Sequence, residues 1–414
     1  MIAKVFPKSS EIVAAAPPSK SCAHRLMIAA ALGHKKIRIK NVGSSADVLA
    51  TAECLSSLGA SVEMCGGDAV VTGVFKSGIN KTATLDCKES GSTLRFLFPI
   101  ASALGINAEF LGSGKLLERP NEILFDLLRE HGAKVDGFKV KGKLKSGVFE
   151  VDASVSSQYI TGLLFALPLL EEDSKIILKG KIVSSYYIDI TFEVLKLAGI
   201  KFIRGEREIT IFKNQVFSLP DEVVCEGDWS GAAFLLAAGV MTGKAEAEGL
   251  KLNSLQGDKK IADIIATAGG EIIFGEKVTA SRSELKGFKA DLENAPDLAP
   301  ITCVLAAAAK GTSEITGISR LKYKESDRIK AICDMLKTAG IKYELKEGGI
   351  TIFGGEIKGG RFDGYKDHRI VMAAVILALA AKGSSEITNA ESVKKSYPEF
   401  FEDIKGNGNV FLEG

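Results

Sequence analysis

The sequence has few of the residues that bind metals or form disulfides. Its 414 residues include four histidines, dispersed along the chain, and seven cysteines that form no CxxC pair. The dispersed histidines give no metal-ligand spacing. An odd number of scattered cysteines favours reduced thiols, which are typical of the cytoplasm. We therefore expect a cytoplasmic protein with no metal and no other cofactor.

Long hydrophobic runs and an excess of charge of one sign are also lacking. The longest apolar run, residues 370–381, is shorter than the ~20 residues that cross a bilayer. The first residues are interrupted by Pro7 and Glu11, so they do not predict a signal peptide. A net charge of +2 is too small to indicate a nucleic-acid or lipid surface. Small molecules are the expected partners, and we expect a monomer that binds neither nucleic acid nor membrane.

What the sequence does have is a repeat. The length exceeds what one core usually holds, which predicts two domains. Six amphipathic helical segments end in glycine, 66 to 73 residues apart, at positions 59, 132, 199, 269, 340 and 406. A helix that ends at glycine and leads into a short strand is a plausible αβ unit. The sequence therefore predicts an α/β protein with three repeats in each half.

A second set of helices lies between these and is mostly apolar on nearly every side, which predicts burial between other elements. The segments are 21–33, 91–105, 157–170, 228–243, 296–311 and 367–383. The first repeat begins only after Pro18, so we expect the first residues to join the second half. The predicted domains are 1–16 with 225–414, and 17–224. Two chain crossings of this kind predict a hinge with a cleft between two lobes.

The buried helices begin with polar residues, and several of these are cations. At the first helix, Lys20 and Arg25 lie near the N-terminus together with Ser19 and Ser21. Cations are disfavoured there by the helix dipole. The cluster is therefore explained if an anion binds at this helix start. A capped surface helix with solvated charges is the alternative interpretation.

Similar clusters occur at the other buried helices and on the loops beside them. They contain Gly91 with Arg95, Arg119, 156–158, Asp297, 322–328, 367–369 and 394–395. Taken singly, helix caps, an ordinary connector or solvated i,i+4 pairs explain each cluster. Their recurrence at the same place in the repeat favours a site for multiply anionic ligands, at least one of them a phosphate. The chain has no GxxxxGK[ST] or GxGxxG motif, which disfavours nucleotide hydrolysis and hydride transfer and makes proton transfer between two organic anions attractive.

The motifs that carry these clusters also follow one another in an expected order. They are Pro18-Ser-Lys-Ser-x-x-x-Arg25, Ser-Gly-Ser-Thr-x-Arg95, Glu-Arg-Pro120, Ser-Ser-Gln158, Ser184 with Tyr187-Ile-Asp-Ile-Thr, Glu226-Gly-Asp, Pro296-Asp297, Lys324-Glu-Ser-Asp-Arg328, Asp-His-Arg369 and Lys395-Ser-Tyr-Pro398. Over essentially the whole chain, this order resembles the 3-phosphoshikimate 1-carboxyvinyltransferase (EPSP synthase) family. The resemblance implies an enolpyruvyl transferase fold, an inside-out α/β barrel. Each of its two lobes holds three βαβαββ units, and the active site lies in the hinge cleft.

The resemblance also implies a reaction and a set of site residues. The 5-hydroxyl of shikimate 3-phosphate attacks C2 of phosphoenolpyruvate while C3 is protonated, and the tetrahedral intermediate then loses phosphate. This transferase step belongs to the shikimate pathway, which leads to chorismate and the aromatic amino acids. The implied catalytic residues are Lys20, Asp297 as proton acceptor and Glu325 as proton donor. Shikimate 3-phosphate would bind Lys20, Ser21, Arg25, Ser156, Ser157, Gln158, Ser184, Tyr187, Asp297, Arg320 and Lys324. Phosphoenolpyruvate would bind Lys20, Gly91, Arg119, Gln158, Arg328, Arg369 and Lys395.

Two positions depart from the family pattern, and alternatives stay open. Glu89 stands where Asn is usual, and Arg320 where Asn is common among the ligands of shikimate 3-phosphate. The sister family, UDP-N-acetylglucosamine enolpyruvyltransferase, typically has Lys-Asn where this chain has Lys20-Ser21, and a reactive Cys where this chain has Gly114. RNA 3′-phosphate cyclase shares part of the architecture but needs a nucleotidylated His and a basic surface. A non-catalytic anion-binding protein would not need an acid–base pair beside the full set of cations.

Overall fold

The computed structural model describes residues 1–9, 11–405 and 409–414, which form two compact units. The central unit is Pro18–Cys225, and the terminal unit combines Met1–Pro17 with Glu226–Gly414. The predicted division lies one residue earlier at each crossing. The predicted closing glycine at position 406 lies outside the described residues.

The strands are short, with two to six residues each. In chain order they are β1 Ile2–Val5, β2 Glu11–Ala15, β3 Lys36–Lys40, β4 Ser61–Cys65, β5 Asp68–Thr72, β6 Thr82–Asp86, β7 Asn107–Leu111, β8 Lys134–Asp136, β9 Lys139–Lys141, β10 Val148–Asp152, β11 Ser174–Lys179, β12 Phe202–Arg204, β13 Glu208–Ile211, β14 Glu222–Val224, β15 Lys244–Glu248, β16 Glu271–Phe274, β17 Lys277–Ser281, β18 Lys289–Asp291, β19 Thr312–Thr316, β20 Lys342–Lys346, β21 Gly349–Phe353, β22 Arg361–Phe362, β23 Ser385–Thr388 and β24 Val410–Glu413.

The helices alternate with these strands. They are α1 Lys20–Ala31, α2 Ala46–Leu58, α3 Val74–Ser77, α4 Gly91–Ala103, α5 Glu122–Glu130, α6 Ser157–Ala166, α7 Ser185–Leu197, α8 Trp229–Thr242, α9 Lys260–Thr267, α10 Ala299–Ala308, α11 Arg328–Thr338, α12 His368–Leu379 and α13 Phe400–Ile404. Within the described ranges, no helix combines the length and the apolar character that crossing a membrane requires.

The described residues of each unit form three four-stranded sheets, all with the same strand arrangement. The first strand is parallel to the second, and the remaining neighbours are antiparallel. The orders in the central unit are β14-β3-β5-β4, β6-β7-β9-β8 and β10-β11-β13-β12. Those in the terminal unit are β2-β15-β17-β16, β18-β19-β21-β20 and β22-β23-β1-β24. The predicted α/β class with three repeats in each half is confirmed.

The first two strands complete sheets of the terminal unit. Strand β2 pairs in parallel with β15, and β1 lies between β23 and β24, antiparallel to both. Ala3 stands opposite Ile387 on one side and Leu412 on the other. Ala3 and Val5 are fully buried, because alternate residues of β1 face the core. The N-terminal residues therefore belong to the terminal unit by pairing and by burial.

The apolar helices are the buried ones, as their sequences predict. Every residue of α12 is buried, and α8, α10 and α12 pack against one another in the terminal unit. In the central unit α4 packs against α6, and α6 against α7. Helices α6 and α10 are shorter than predicted. Helix α6 continues into a 3-10 turn at Leu167–Leu169, and α10 follows another at Pro296–Leu298, because proline cannot donate the backbone hydrogen bond of an α-helix interior.

The closing glycines have the backbone conformation that their position requires. Gly59, Gly132, Gly199, Gly269 and Gly340 all have positive φ, between +73° and +113°. This left-handed conformation ends a helix and is strained for residues that carry a Cβ. The predicted helix ends are thus confirmed at these five positions.

Candidate active site

In the central unit, helix α1 begins with a capping serine and a cation. The buried side chain of Ser19 accepts a hydrogen bond from the backbone N of Cys22 at 3.4 Å. Nζ of Lys20 lies 2.8 Å from Oδ2 of Asp47, in the first turn of α2. These two side chains are only 17% and 6% exposed. A largely buried ion pair at this helix start argues against the alternative of solvated surface charges.

Arg25 carries a buried positive charge whose hydrogen bonds go to neutral oxygens. The residue is 2% exposed. Its Nε donates to Oγ1 of Thr191 at 2.8 Å, Nη1 to the carbonyl of Ser21 at 2.7 Å, and Nη2 to the carbonyl of Tyr187 at 2.9 Å. Burial lowers the pKa of Arg25 to about 10, because the charge loses its hydration. Arg25 therefore joins α1 to α7 and would gain from a nearby anion.

Gly91, Arg119 and Gln158 come together at the start of α4. A Cβ at Gly91 would lie 3.1 Å from Nη1 of Arg119 and 3.6 Å from Oε1 of Gln158. Arg95, one turn further along α4, donates from Nη1 to the same Gln158 oxygen at 2.7 Å. A side chain at position 91 would therefore fill space between two guanidinium groups and an amide. Backbone N–H groups and guanidinium donors at a helix start suit an anion.

The other predicted residues of the central unit lie at the starts of α6 and α7. Ser156 caps α6 and accepts a hydrogen bond from the backbone N of Gln158 at 3.3 Å, and Ser157 is 5% exposed. Ser184 precedes α7 with φ of +52°, a left-handed conformation that is uncommon for serine, and it is 4% exposed. Strain of this kind clusters at functional sites.

In the terminal unit, Arg328 is 1% exposed and lies among three carboxylates. Its Nε and Nη2 donate to Oδ2 and Oδ1 of Asp367 at 2.8 and 3.2 Å. Nη1 donates to Oδ1 of Asp297 and Nη2 to Oε2 of Glu325, both at 2.8 Å. Burial alone would lower the pKa of Arg328, but the three carboxylates raise it above its ordinary value. Asp367 also caps α12, which holds its carboxylate in place. Its bidentate pair with Arg328 therefore fixes the plane of the Arg328 guanidinium group.

Asp297 contacts three cations at the mouth of α10. Its Oδ1 lies 2.8 Å from Nη1 of Arg328 and 3.4 Å from Nζ of Lys324, and its Oδ2 lies 3.2 Å from Nη2 of Arg369. Burial alone would raise the pKa of Asp297, but Arg369, Lys324 and Arg328 hold it well below its ordinary value. Asp297 is therefore ionised, and it is a weak base while all three positive charges face it.

The structure thus brings Asp297, Lys324, Glu325, Arg328 and Arg369 into one set of ion pairs within the terminal unit. The other two predicted residues of this unit lie on 3-10 turns. Nη2 of Arg320, on the turn Ser319–Tyr323, donates to the carbonyl of Glu293 at 2.8 Å. Lys395 ends the turn Ala390–Lys395 and is 8% exposed. Across the described part of the chain, no group of three His, Cys, Asp or Glu side chains is placed to hold a metal ion.

Comparison with known proteins decides the family. The family model for EPSP synthase (3-phosphoshikimate 1-carboxyvinyltransferase) matches residues 7–404. The chain belongs to the EPSP synthase family. Membership in the EPSP synthase family makes the chain an enzyme of the enolpyruvyl transferase class, as its motifs predict.

Curated members of the EPSP synthase family are similar to the chain over nearly its full length. A 3-phosphoshikimate 1-carboxyvinyltransferase of Clostridium beijerinckii is 39% identical and aligns with 99% of this chain and 98% of its own length. One of Clostridium kluyveri is 40% identical, with 96% and 95% aligned. The resemblance inferred from the motifs is therefore confirmed.

Solved structures of enolpyruvyl transferases have the same fold. An EPSP synthase of Acinetobacter baumannii superimposes with a TM-score of 0.84 at 24% identity and covers 100% of both chains. The enolpyruvyl transferase NikO of Streptomyces tendae superimposes with a TM-score of 0.79 at 15% identity, over 99% of this chain and 98% of its own. These likenesses confirm the predicted enolpyruvyl transferase fold.

Glu89, where the EPSP synthase family usually has Asn, lies against the loop that carries Arg119. Gly114 on this loop has φ of +56°, and a Cβ there would overlap with the carboxylate of Glu89. A side chain at the position where the sister family typically has its reactive Cys would therefore require the carboxylate of Glu89 to move.

Sequence reasoning did not predict three pairings of site residues. Asp47 pairs with Lys20, Asp367 with Arg328, and Arg95 with Gln158. Arg95 and Asp367 belong to EPSP synthase family motifs, so a signal for them was present in the sequence. Asp47 stands in an unremarkable helix, and only the pairing of α1 with α2 reveals it.

Proposed function

We infer that this protein transfers the enolpyruvyl (carboxyvinyl) group of phosphoenolpyruvate to the 5-hydroxyl of shikimate 3-phosphate and releases phosphate, a step of the shikimate pathway. Family membership supports this reaction. The observation in the structure that carries the inference is the ion-pair set in which Asp297 and Glu325 share Arg328. An acid and a base beside several cations suit a proton transfer between anionic molecules.

For phosphoenolpyruvate, we propose that the ligands are Lys20, Gly91, Arg119, Gln158, Arg328, Arg369 and Lys395. The guanidinium groups offer charge-assisted, bidentate bonds to carboxylate and phosphate. The absence of a Cβ supports Gly91 as a ligand, because a side chain at this position would contact Arg119 and Gln158 and fill the space between them. Arg328 and Arg369 are only 1% and 5% exposed. This burial supports their role as ligands, because a charge interacts more strongly with a bound anion away from water.

For shikimate 3-phosphate, we propose that the ligands are Lys20, Ser21, Arg25, Ser156, Ser157, Gln158, Ser184, Tyr187, Asp297, Arg320 and Lys324. The buried charge of Arg25, bonded to neutral oxygens, supports a neighbouring phosphate. Hydroxyl groups at the starts of α6 and α7 are suitable partners for the hydroxyls of the ring.

In the proposed reaction, Asp297 accepts the proton of the 5-hydroxyl as its oxygen attacks C2, and Glu325 protonates C3. The carboxylate of Glu325 then takes a proton back from the C3 methyl as the C2–O bond to phosphate breaks, which forms the enolpyruvyl group and releases phosphate. Lys20 assists by contacting both substrates. The low pKa of Asp297 makes it a poor base on its own. A bound anion that neutralises part of the charge of Arg369 and Lys324 would raise this pKa, because the charged form of Asp297 would lose stabilisation. Asp297 would therefore become an effective base only when substrate is bound.

The test is phosphate release from phosphoenolpyruvate by the whole protein, with shikimate 3-phosphate compared against UDP-N-acetylglucosamine. We expect release with the first acceptor and none with the second; the reverse result would reject the proposed substrate. Asp297→Ala should abolish release, whereas Asp263→Ala, a change at an exposed position of α9, should leave it intact. Full activity of Asp297→Ala would reject Asp297 as the base.

We also propose that the protein acts as a monomer and that it lies in the cytoplasm. Its seven free cysteines support the cytoplasmic location. The hinge cleft expected from the sequence stays a prediction. Small-angle scattering should record a smaller radius of gyration when shikimate 3-phosphate is added, and no change would count against a closing hinge.

A further inference from the structure

The loop that carries Arg119 contacts a buried asparagine that lies outside the family motifs. Asn121 is 3% exposed and stands directly before α5. Asparagine at this place usually caps a helix through its side chain. The side chain of Asn121, however, makes no capping hydrogen bond to the start of α5. A capping role therefore does not explain why this polar side chain is buried.

The amide group of Asn121 is instead hydrogen-bonded to the loop and to α4. Its Nδ2 donates to the carbonyl of Arg119 at 3.0 Å and to the carbonyl of Leu116 at 3.4 Å. Its Oδ1 accepts from Nε of Arg95 at 2.9 Å. An amide nitrogen has two hydrogens, so these two carbonyls use both of them. Asn121 thus ties the turn 116–119 to a guanidinium group on α4.

The carbonyl of Pro120, next along the chain, is held by two other side chains. It accepts from Nη2 of Arg95 at 3.1 Å and from the hydroxyl of Tyr159 on α6. The proline ring also restricts φ of this residue. Two consecutive carbonyls, those of Arg119 and Pro120, are therefore bonded to buried side chains. These bonds set the path of the backbone from which the Arg119 side chain extends.

We propose that Asn121 is a positioning residue, which holds the backbone of Arg119 so that its guanidinium group stays beside Gly91 and receives phosphoenolpyruvate. The proposal rests on the function proposed above for Arg119, and it assigns Asn121 no contact with substrate. A displacement of about 1 Å in an active site can cost ~10²-fold in rate. Arg119 is a proposed ligand of phosphoenolpyruvate alone, so loosening its backbone should affect this substrate more than shikimate 3-phosphate.

The first test compares the KM values of Asn121→Asp and Asn121→Ala with those of the unmodified protein. Aspartate has the shape of asparagine and keeps an oxygen for Arg95, but its carboxylate has no hydrogens for the two loop carbonyls. Both variants should raise the KM for phosphoenolpyruvate about tenfold, while the KM for shikimate 3-phosphate stays within about twofold. Asn80→Asp is the matched control, because the amide of the exposed Asn80 also donates to a carbonyl, that of Ser57 at 2.9 Å. Its KM values should equal those of the unmodified protein.

A second control separates positioning from a general loss of stability. Ile176 is fully buried in β11, and Ile176→Val should lower the thermal unfolding midpoint of the central unit without changing the loop. The positioning role would be overturned if Ile176→Val raised the KM for phosphoenolpyruvate as much as Asn121→Asp does. An unchanged KM for phosphoenolpyruvate in Asn121→Asp, or an equal rise in both of its KM values, would overturn it as well.

The loop itself offers a measurement that does not depend on catalysis. Lys115 is exposed on this loop, and trypsin cleaves after lysine at a rate that follows local opening of the native protein. Cleavage after Lys115 should be about fivefold faster in Asn121→Asp than in the unmodified protein, Asn80→Asp and Ile176→Val. Equal rates in all four proteins would contradict the hold of Asn121 on the loop.

The failure of this proposal can be told apart from the failure of the proposed function. If the unmodified protein released no phosphate, the proposed function would fail. Binding of phosphoenolpyruvate, measured by titration calorimetry, would then test the positioning role. About tenfold weaker binding by Asn121→Asp would support this role, and equal binding by the two proteins would overturn it.

Discussion

Replacing Arg25 with methionine should stabilise the protein and weaken its binding of shikimate 3-phosphate. Burial lowers the pKa of Arg25 to about 10, which corresponds to a cost of roughly 3 kcal/mol for keeping the side chain charged. This cost is fully present below pH 10, where Arg25 is charged in the folded and the unfolded chain. It disappears only as the pH rises through that value towards the pKa of the unfolded chain. Methionine removes the charge and keeps an apolar contact with the ring of Phe96, now 5.1 Å from the guanidinium carbon.

The hydrogen bonds lost with Arg25 offset only part of this gain. The carbonyl of Tyr187 keeps a bond from the hydroxyl of Thr191 at 2.9 Å, and that hydroxyl stays 3.0 Å from the hydroxyl of Thr161. Few groups are therefore left without a partner. We expect a net gain of about 1–2 kcal/mol, which raises the thermal midpoint of a unit of this size by about 2–8 °C.

The assay is thermal unfolding at pH 7.5, with and without shikimate 3-phosphate. At one hundred times its Kd, the ligand should add about 2.7 kcal/mol to the unmodified protein, and much less to Arg25→Met at the same concentration. Arg38→Met is the control: Arg38 is 56% exposed and pairs with Asp68 at 2.9 Å, so its loss should cost under about 1 kcal/mol and leave the ligand effect intact. A lower midpoint for unliganded Arg25→Met would refute the reasoning, since the protein's own bonds would then outweigh the cost of burial.

Three further changes test other parts of the structure. Because the pKa of Asp297 is held well below its ordinary value, its ion pairs contribute stability above about pH 4 that is lost as the pH falls through the folded-state pKa. Asp297→Asn should therefore lower the unfolding midpoint at pH 7, and the gap should shrink in acid; a constant gap would contradict this. Lys366 is exposed and has φ of +51°, a conformation that asparagine tolerates better, so Lys366→Asn should add about 0.5–1 kcal/mol to the free energy of unfolding. Lys337→Asn, on the exposed face of α11, should reduce it, because asparagine is a poor helix former. If both changes shifted the thermal unfolding midpoint in the same direction, backbone strain at Lys366 would be contradicted. Gly114→Ala should raise the KM for phosphoenolpyruvate by displacing the loop of Arg119. Adding Glu89→Ala should lower this KM part of the way back to that of the unmodified protein, and an unchanged KM would show that Glu89 is not the obstacle.

Much of the fold could be predicted because its signals are local. A glycine that ends a helix and an apolar stretch that must be buried are visible within a few residues, and both recur along the chain. The strand partners could not be predicted in this way. Strand β1 is the third strand of its sheet, between β23 and β24, and nothing within Ile2–Val5 indicates partners 380 or more residues away. Register of this kind is set by the tertiary structure.

The candidate site shows the same division. Lys20 was noticeable from sequence because a cation at a helix start is unfavourable without a partner. Its partner Asp47 is 27 residues away, and Asp367 is 39 residues from Arg328. Such pairs form only when separate helices pack, so the cations could be found from sequence, whereas their pairing with Asp47 and Asp367 could not.

The place of β1 within its sheet has a consequence for synthesis on the ribosome. The central unit holds all of its own strands and can fold as soon as residues 18–225 have emerged. Residues 2–5, although made before the central unit, meet their neighbours only after residues 385–388 and 410–413 have followed. A segment made before the central unit is thus among the last to pair, and until then its backbone N–H and C=O groups lack strand partners, which makes it a target for chaperones.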